Sequence, residues 1–217
     1  MIWGLVPVAY LLGTFPSAVM VARSKGIDIT AVGSRNPGAS NVARTMGTAW
    51  GILVFVLDGL KGAIPAVVGL ALDEPKATYA LVAAAVVGHM YPVTRRFVGG
   101  KGVATVGGAL VVLHPLVFAV LTAVWVAIRK FSGKASLGSL VIAVGLPVGV
   151  ALDGSPAWEV AATVGLAALV LLRHMDNIKR LVRGSELSAS RQGSHPSAAT
   201  THGPAGGTAR DQASKPH

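Results

Sequence analysis

Cysteine is absent from the 217 residues, which excludes disulfides, a thiolate nucleophile and any cysteine-ligated metal site. Charge is scarce too: Asp, Glu, Lys and Arg make up 13%, about half the share of an average soluble domain. Acidic residues are the rarest charges, 9 against 19 Lys and Arg, for a formal net charge of +10. A chain with so little polar material cannot cover a water-facing surface. What it has instead is 52% hydrophobic residues, which excludes a disordered or collagen-like protein despite 27 Gly and 12 Pro. The solvent for most of it is lipid. The length suggests one compact unit, and the basic excess points first to cytoplasmic loops facing anionic headgroups rather than to nucleic acid.

Seven apolar runs can be laid across a bilayer: residues 2–22, 49–72, 77–93, 103–113, 115–128, 137–152 and 158–172. The first is long enough to span. No basic segment precedes it and Arg23 and Lys25 follow it, which argues against a cleaved signal peptide and places the N-terminus outside. The runs on either side of His114-Pro115 could be one span or two, since proline interrupts a helix without always ending it. Charge decides for two. Seven crossings keep the basic clusters at residues 23–44, 95–101, 129–134 and 173–183 on the cytoplasmic side, leaving Lys76 outside beside Asp73, Glu74, Asp153 and Glu159. The expectation is an all-α polytopic membrane protein with seven transmembrane helices, N-terminus outside and C-terminus cytoplasmic, some helices short or broken. Residues 1–183 form the membrane domain. Residues 184–217, rich in Ser, Gly, Ala, Thr, Pro and His, read as a disordered cytoplasmic tail.

Three cytoplasmic segments are too rich in small polar residues and Arg to be plain connectors. In the first, Gly33-Ser34-Arg35-Asn36-Pro37-Gly38-Ala39-Ser40-Asn41 precedes Arg44; its glycines permit tight turns, and Arg44 offers a planar fork for phosphate or carboxylate. A capped turn into the next span is the competing reading. In the second, Gly99-Gly100-Lys101-Gly102 opens a helix that includes Thr105. Free N–H groups at that helix start and the Lys101 charge make an anion cradle. It is not a phosphate-binding loop of the G-x-x-x-x-G-K-[ST] type, and a flexible hinge with a topogenic lysine is its plainer alternative. The third runs from Arg173-His174 through Asn177 and Arg180 to Glu186; on a continuous helix Arg173, Asn177 and Arg180 share one face, which could equally rest on anionic lipid. Asp58 and Lys61 are i, i+3 neighbours inside an apolar run, so they must pair and turn inward, as a structural pair or as a substrate contact. His89 reads as a packed residue and His114 as an external loop residue. The three histidines of the tail are too loosely spaced for a metal site.

In this order, the stretches 33–44, 58–62, 88–105 and 173–186 resemble the bacterial acyl-phosphate-dependent glycerol-3-phosphate acyltransferases, integral membrane proteins. The resemblance covers residues 1–186. Arg35, Ser40 and Tyr91 depart from the small residue, Thr and Phe usual at those places. It implies transfer of a fatty acyl group from acyl-phosphate to the 1-hydroxyl of sn-glycerol 3-phosphate at the inner face of the bacterial cell membrane, giving 1-acylglycerol 3-phosphate and phosphate, with no cofactor or metal. It further implies functional coupling to the enzyme that makes acyl-phosphate. By the same resemblance Ser34, Arg44, Lys101, His174 and Asn177 are catalytic. It further makes Gly99, Gly100 and Gly102 substrate-binding and Glu186 structural; from the residues themselves Gly33, Asn36, Gly38, Ser40, Asn41, Lys61 and Thr105 are expected to bind substrate, and Asp58 and His89 to be structural.

The better-known H-x-x-x-x-D acyltransferase pair is missing, because Thr94, Ala119 and Lys179 stand five residues beyond His89, His114 and His174. Two alternatives stay open on residues alone: a phosphate or organic-anion transporter, and the same transfer with acyl-CoA or acyl-carrier protein as donor.

Overall fold

The computed structural model describes residues 2–188, so that all but the first five residues of the tail expected over 184–217 lie outside the described residues. The described chain is all-helical: α1 (Val6–Gly13), α2 (Ser17–Arg23), α3 (Ala39–Met46), α4 (Thr48–Ala71), α5 (Pro75–Met90), α6 (Val103–Leu113), α7 (Pro115–Ser132), α8 (Ala135–Leu152), α9 (Ala157–Arg173) and α10 (Met175–Val182). Proline at the first turn of α5 and α7 costs nothing, because the missing N–H would have had no partner there.

Every apolar run of the sequence is helical, but their lengths differ. Among the described residues, five helices are long and apolar enough to cross a membrane: the segments Ile2–Arg23, Thr48–Ala71, Pro75–Arg95, Pro115–Ser132 and Ala135–Leu152. The helix α9 passes that test only together with α10, from which it bends by 58°. At 11 residues α6 reaches roughly 16 Å, about half the hydrocarbon thickness. The chain is therefore a multi-pass membrane protein with five or six long spans and one short apolar helix.

Two breaks shape the site. The first apolar run stops at Thr14 and restarts at Ser17, where Pro16 has no N–H to continue the ladder. The carbonyl of Phe15 is left facing inward, and the buried Lys61 ammonium of α4 donates to it at 2.6 Å. The second break falls at His114, which ends α6 and starts α7. His114 stands in the short connection expected, outside both helices, but it is only 6% exposed, because Tyr79, Asp153 and Glu159 surround its ring.

The helices α4 and α6 cross backbone to backbone. A Cβ on Gly62 would collide with the carbonyl of Thr105, and one on Gly108 with Gly59. The main apolar core lies beyond that crossing, between α5, α6, α8 and α9, with Val86, Met90, Leu146, Val150 and Val170 nearly sealed from solvent. Three helix glycines give room to neighbouring helices: Gly149 receives Val117 of α7, Gly145 faces Leu121, and Gly51 receives Ala43 of α3.

Candidate active site

A cavity of about 360 Å³ opens among α3, α4, α6, α7, α8 and the α9–α10 bend. One end is polar and the other is lined by Leu110, Phe118, Leu121 and Leu146. Along α7 the polar Arg129 and the apolar Phe118 lie 11 positions apart, roughly 16 Å.

The first polar wall is the segment before α3. Asn41, 1% exposed, holds that segment together. Its Nδ2 donates to the carbonyls of Ile29 (3.1 Å) and Val32 (3.0 Å), while its Oδ1 accepts from the Ser34 N–H (2.8 Å) and from Arg44 Nη1 (3.4 Å). The carboxamide's donors and acceptors are all taken up within the protein, while Asn41 also lines the cavity. Gly33 stands at φ +59°, and a Cβ there would meet the Asn41 oxygen; it serves this packing and does not line the cavity. Ser34, Asn36, Gly38, Ser40 and Arg44 do line it. The helix α3, which carries Arg44, is not legible in the sequence as a separate element.

The second wall is the 99–102 segment. Lys101 donates to the side-chain oxygen of Asn177, and both line the cavity with Gly102 and His174. Gly102 adopts φ +80° before α6, a conformation costly for any residue with a Cβ. Gly99 and Gly100 are elsewhere. A Cβ on either would strike His89, and the Gly100 N–H donates to the His89 carbonyl at 3.1 Å. They let the loop lie flush on α5 rather than face the cavity. Thr105 is 0% exposed, and its hydroxyl has no hydrogen-bond partner among the described residues. The α4–α6 crossing covers it, and it does not line the cavity.

Lys61 is likewise turned away from the large cavity. Its ammonium sits between the Asp58 carboxylate (2.7 Å), the Phe15 carbonyl (2.6 Å) and His89 Nδ1 (3.4 Å). A broken helix end and a carboxylate thus take up the Lys61 charge, the arrangement that a structural Asp58–Lys61 pair requires. Asp58 and His89 themselves reach the cavity wall.

The third wall is the α9–α10 bend together with residues 183–188. His174 Nδ1 lies 2.8 Å from the Val170 carbonyl. A carbonyl only accepts, so Nδ1 carries the proton, and in the neutral ring Nε2 keeps the lone pair. Glu186 accepts from Ser136 (2.8 Å), Asn177 (2.6 Å) and Arg180 (2.8 Å). Burial alone would raise its carboxyl pKa, but these three donors outweigh burial and hold it below the usual range. The Ser188 carbonyl accepts from Arg44 Nε at 2.7 Å. The packed body thus runs past Arg183, the end of the membrane domain expected from composition, through Ser188. The bend also separates Arg173 from the helical face assumed to join it to Asn177 and Arg180: Arg173 reaches Gly99 and Gly100, while the other two meet Glu186. Sequence reasoning misses Ser136 as a site residue and misses the contact of Arg173 with the glycine segment, because their partners lie 50 or more positions away.

Charge is unevenly matched here. Asp58 is paired with Lys61 and Glu186 with Arg180. Arg44 and Lys101 rest on neutral oxygens, and among the described residues neither has a carboxylate within ion-pair distance. Burial depresses both, with Arg180 adding to it and Glu186 opposing, so that Lys101 falls to about 8. Two partly desolvated cations held by dipoles alone favour an incoming anion. Among the described residues no group of three or more His, Asp or Glu is arranged to hold a metal ion.

Comparison with known proteins gives this arrangement a context. Residues 3–184 match the family described as "Glycerol-3-phosphate acyltransferase". A glycerol-3-phosphate acyltransferase of Solidesulfovibrio magneticus is 45% identical over 181 residues, covering 82% of this chain and 90% of that protein. One from Aquifex aeolicus is 39% identical over 185 residues, covering 84% and 96%. The crystal structure of PlsY (YgiH), an integral membrane glycerol 3-phosphate acyltransferase, superposes in its glycerol 3-phosphate form with a TM-score of 0.83 at 37% identity, covering 86% of this chain and 94% of that one. Its lysophosphatidic acid form superposes at 0.81 and 36%. The chain belongs to the glycerol-3-phosphate acyltransferase family.

Proposed function

We propose that the chain transfers a fatty acyl group from acyl-phosphate to the 1-hydroxyl of sn-glycerol 3-phosphate, releasing 1-acyl-sn-glycerol 3-phosphate and phosphate. The observation that carries this reading is the cavity itself, with Arg44 and Lys101 at one end, neither within ion-pair distance of a carboxylate among the described residues, and an apolar bore at the other. Both reactants carry phosphate and one carries an acyl chain. Acyl-phosphate fits better than a thioester donor because it brings a second dianionic group beside Arg44 and Lys101.

In this mechanism the C1 hydroxyl oxygen attacks the acyl carbonyl carbon directly. The new ester C–O bond forms, the bond from that carbon to the phosphate oxygen breaks, and the electron pair leaves with phosphate. Arg44 and Lys101 stabilise charge growing on the carbonyl and leaving oxygens. Ser34 and Asn36 orient the acceptor, and Asn177 aims Lys101. The hydroxyl proton passes to His174 Nε2 or to a phosphate oxygen. By the positive-inside bias the polar mouth faces the cytoplasm of a bacterial cell, the N-terminus lies outside, and the short α6 completes seven crossings. Functional coupling to the enzyme that makes acyl-phosphate belongs to the same reading.

The test supplies purified protein with glycerol 3-phosphate and, in separate reactions, synthetic acyl-phosphate, acyl-CoA and acyl-carrier protein. Equal amounts of phosphate and lysophosphatidic acid from acyl-phosphate alone are expected. Product only from a thioester overturns the donor. Flux of phosphate across vesicles without acylation overturns the reaction and supports a transporter.

A further inference from the structure

Arg173 does not line the cavity, yet its side chain touches the segment that carries Lys101 at two points. Its Nη2 donates to the Gly99 carbonyl at 2.9 Å and its Nε to the Gly100 carbonyl at 3.2 Å. The guanidinium centre lies 5.1 Å from the ring centroid of Tyr91, and the Tyr91 carbonyl is in turn held by the Tyr10 hydroxyl at 2.8 Å. On its opposite side the segment is flush with α5, where the Gly100 N–H meets the His89 carbonyl and a Cβ on Gly100 would enter the His89 ring. Residues 99–100 are therefore gripped between the ends of α5 and α9, one position before Lys101.

We propose that Arg173 is a positioning residue for the reaction: its fork clamps two successive carbonyls of the glycine segment and so sets where the Lys101 ammonium meets substrate phosphate. The carbonyls of an irregular segment near lipid also need donors, and a planar guanidinium can serve two at once, whereas an ammonium is a single point charge. This rests on the reading of Lys101 as a phosphate-binding group. It adds a residue outside the cavity that acts through the backbone.

The decisive variant is Arg173→Lys, which keeps the charge and loses the fork. Two readouts are taken on the full chain in detergent. The first is the pH dependence of Lys101 labelling by an amine-reactive reagent, whose midpoint in the parent is expected at about 8. The second is kcat/KM for glycerol 3-phosphate. In R173K we expect the labelling midpoint to move up toward an ordinary lysine, as the segment loosens into water. We also expect kcat/KM to fall by about ten- to a hundredfold, the scale of a displacement near 1 Å. If R173K matches the parent in both, charge alone suffices and the clamp is wrong. Should R173K not fold, Arg173→Gln is read by kcat/KM alone, because removing the Arg173 charge by itself raises the Lys101 midpoint; parent-like kcat/KM in that variant would overturn the clamp. A Lys101→Ala protein of undiminished activity would remove the catalytic reading of Lys101, while the labelling arm would still decide whether Arg173 places that amine.

Discussion

The bundle buries a histidine among polar side chains at both of its ends, and only one end makes a site. At the cavity end His174, Asn177, Lys101 and Arg44 border open volume, and the cations there rest on neutral oxygens. At the opposite end His114 sits between Asp153 (3.1 Å) and the Tyr79 hydroxyl (2.8 Å), with Glu159 at 3.6 Å and Trp158 edge-on to Tyr79. None of these side chains lines the cavity. That cluster joins α5, the α6–α7 junction, α8 and α9, and its donors and acceptors satisfy one another. Buried polarity alone is thus a poor marker of chemistry. Unmatched charge beside a void is a better one.

The largest expected effect comes from removing that unmatched charge. Arg44→Ala and Lys101→Ala should each lower kcat/KM by about a hundred- to a thousandfold, the scale of one charge-stabilising group, with little change in the unfolding midpoint. Loss of stability with normal kinetics in the surviving protein would make the two ends equivalent and remove the distinction.

The same comparison explains what could be read from sequence. Hydropathy and the positive-inside bias located every helix-forming apolar run, and the glycine, serine and asparagine clusters located the cavity walls. Direction was harder to read. Lys61 turns to a carbonyl freed by a break 46 residues earlier, which no local pattern encodes. Thr105 lies on the right helix but under Gly62. The face shared by Arg173, Asn177 and Arg180 assumed a straight helix, and the 58° bend at His174 divides it. The connection at His114 was legible, but its burial was not, because its partners, Tyr79, Asp153 and Glu159, come from three other places in the chain.

A pH profile sharpens the contrast further. Burial, aided by Arg180, depresses Lys101 to about 8, against about 10.4 for an ordinary lysine. The ammonium is charged below that value and neutral above it. Hence kcat/KM for glycerol 3-phosphate should fall about tenfold per unit above pH 8. Lys101→Arg, which keeps its charge, should abolish that limb whatever it does to the plateau. A limb that persists in the arginine variant would assign the titration to another group.

His114→Leu probes the closed end. It leaves Asp153 and Glu159 without their shared partner, which should cost about 1–3 kcal/mol. The thermal midpoint should drop while kcat/KM stays within about twofold. A large loss of kcat/KM at unchanged stability would mean that the far cluster reaches the chemistry.

The smallest effect belongs to Ser136→Ala, and it asks how tightly the third wall is held. Glu186 would lose one of three donors but keep Asn177 and Arg180, so Asn177 should remain aimed at Lys101. A deleted hydrogen bond to a carboxylate is worth about 1.5–3 kcal/mol at most; with Arg180 still paired, we expect kcat/KM to fall only a few-fold. Because the lost donor helps keep the Glu186 carboxyl ionised, its pKa should rise, and activity should decline at a less acidic pH than in the parent. An acid limb that does not move in Ser136→Ala would show that Glu186 is held by Arg180 and Asn177 alone. The wall would then be a two-point support, and Ser136 merely adjacent to it.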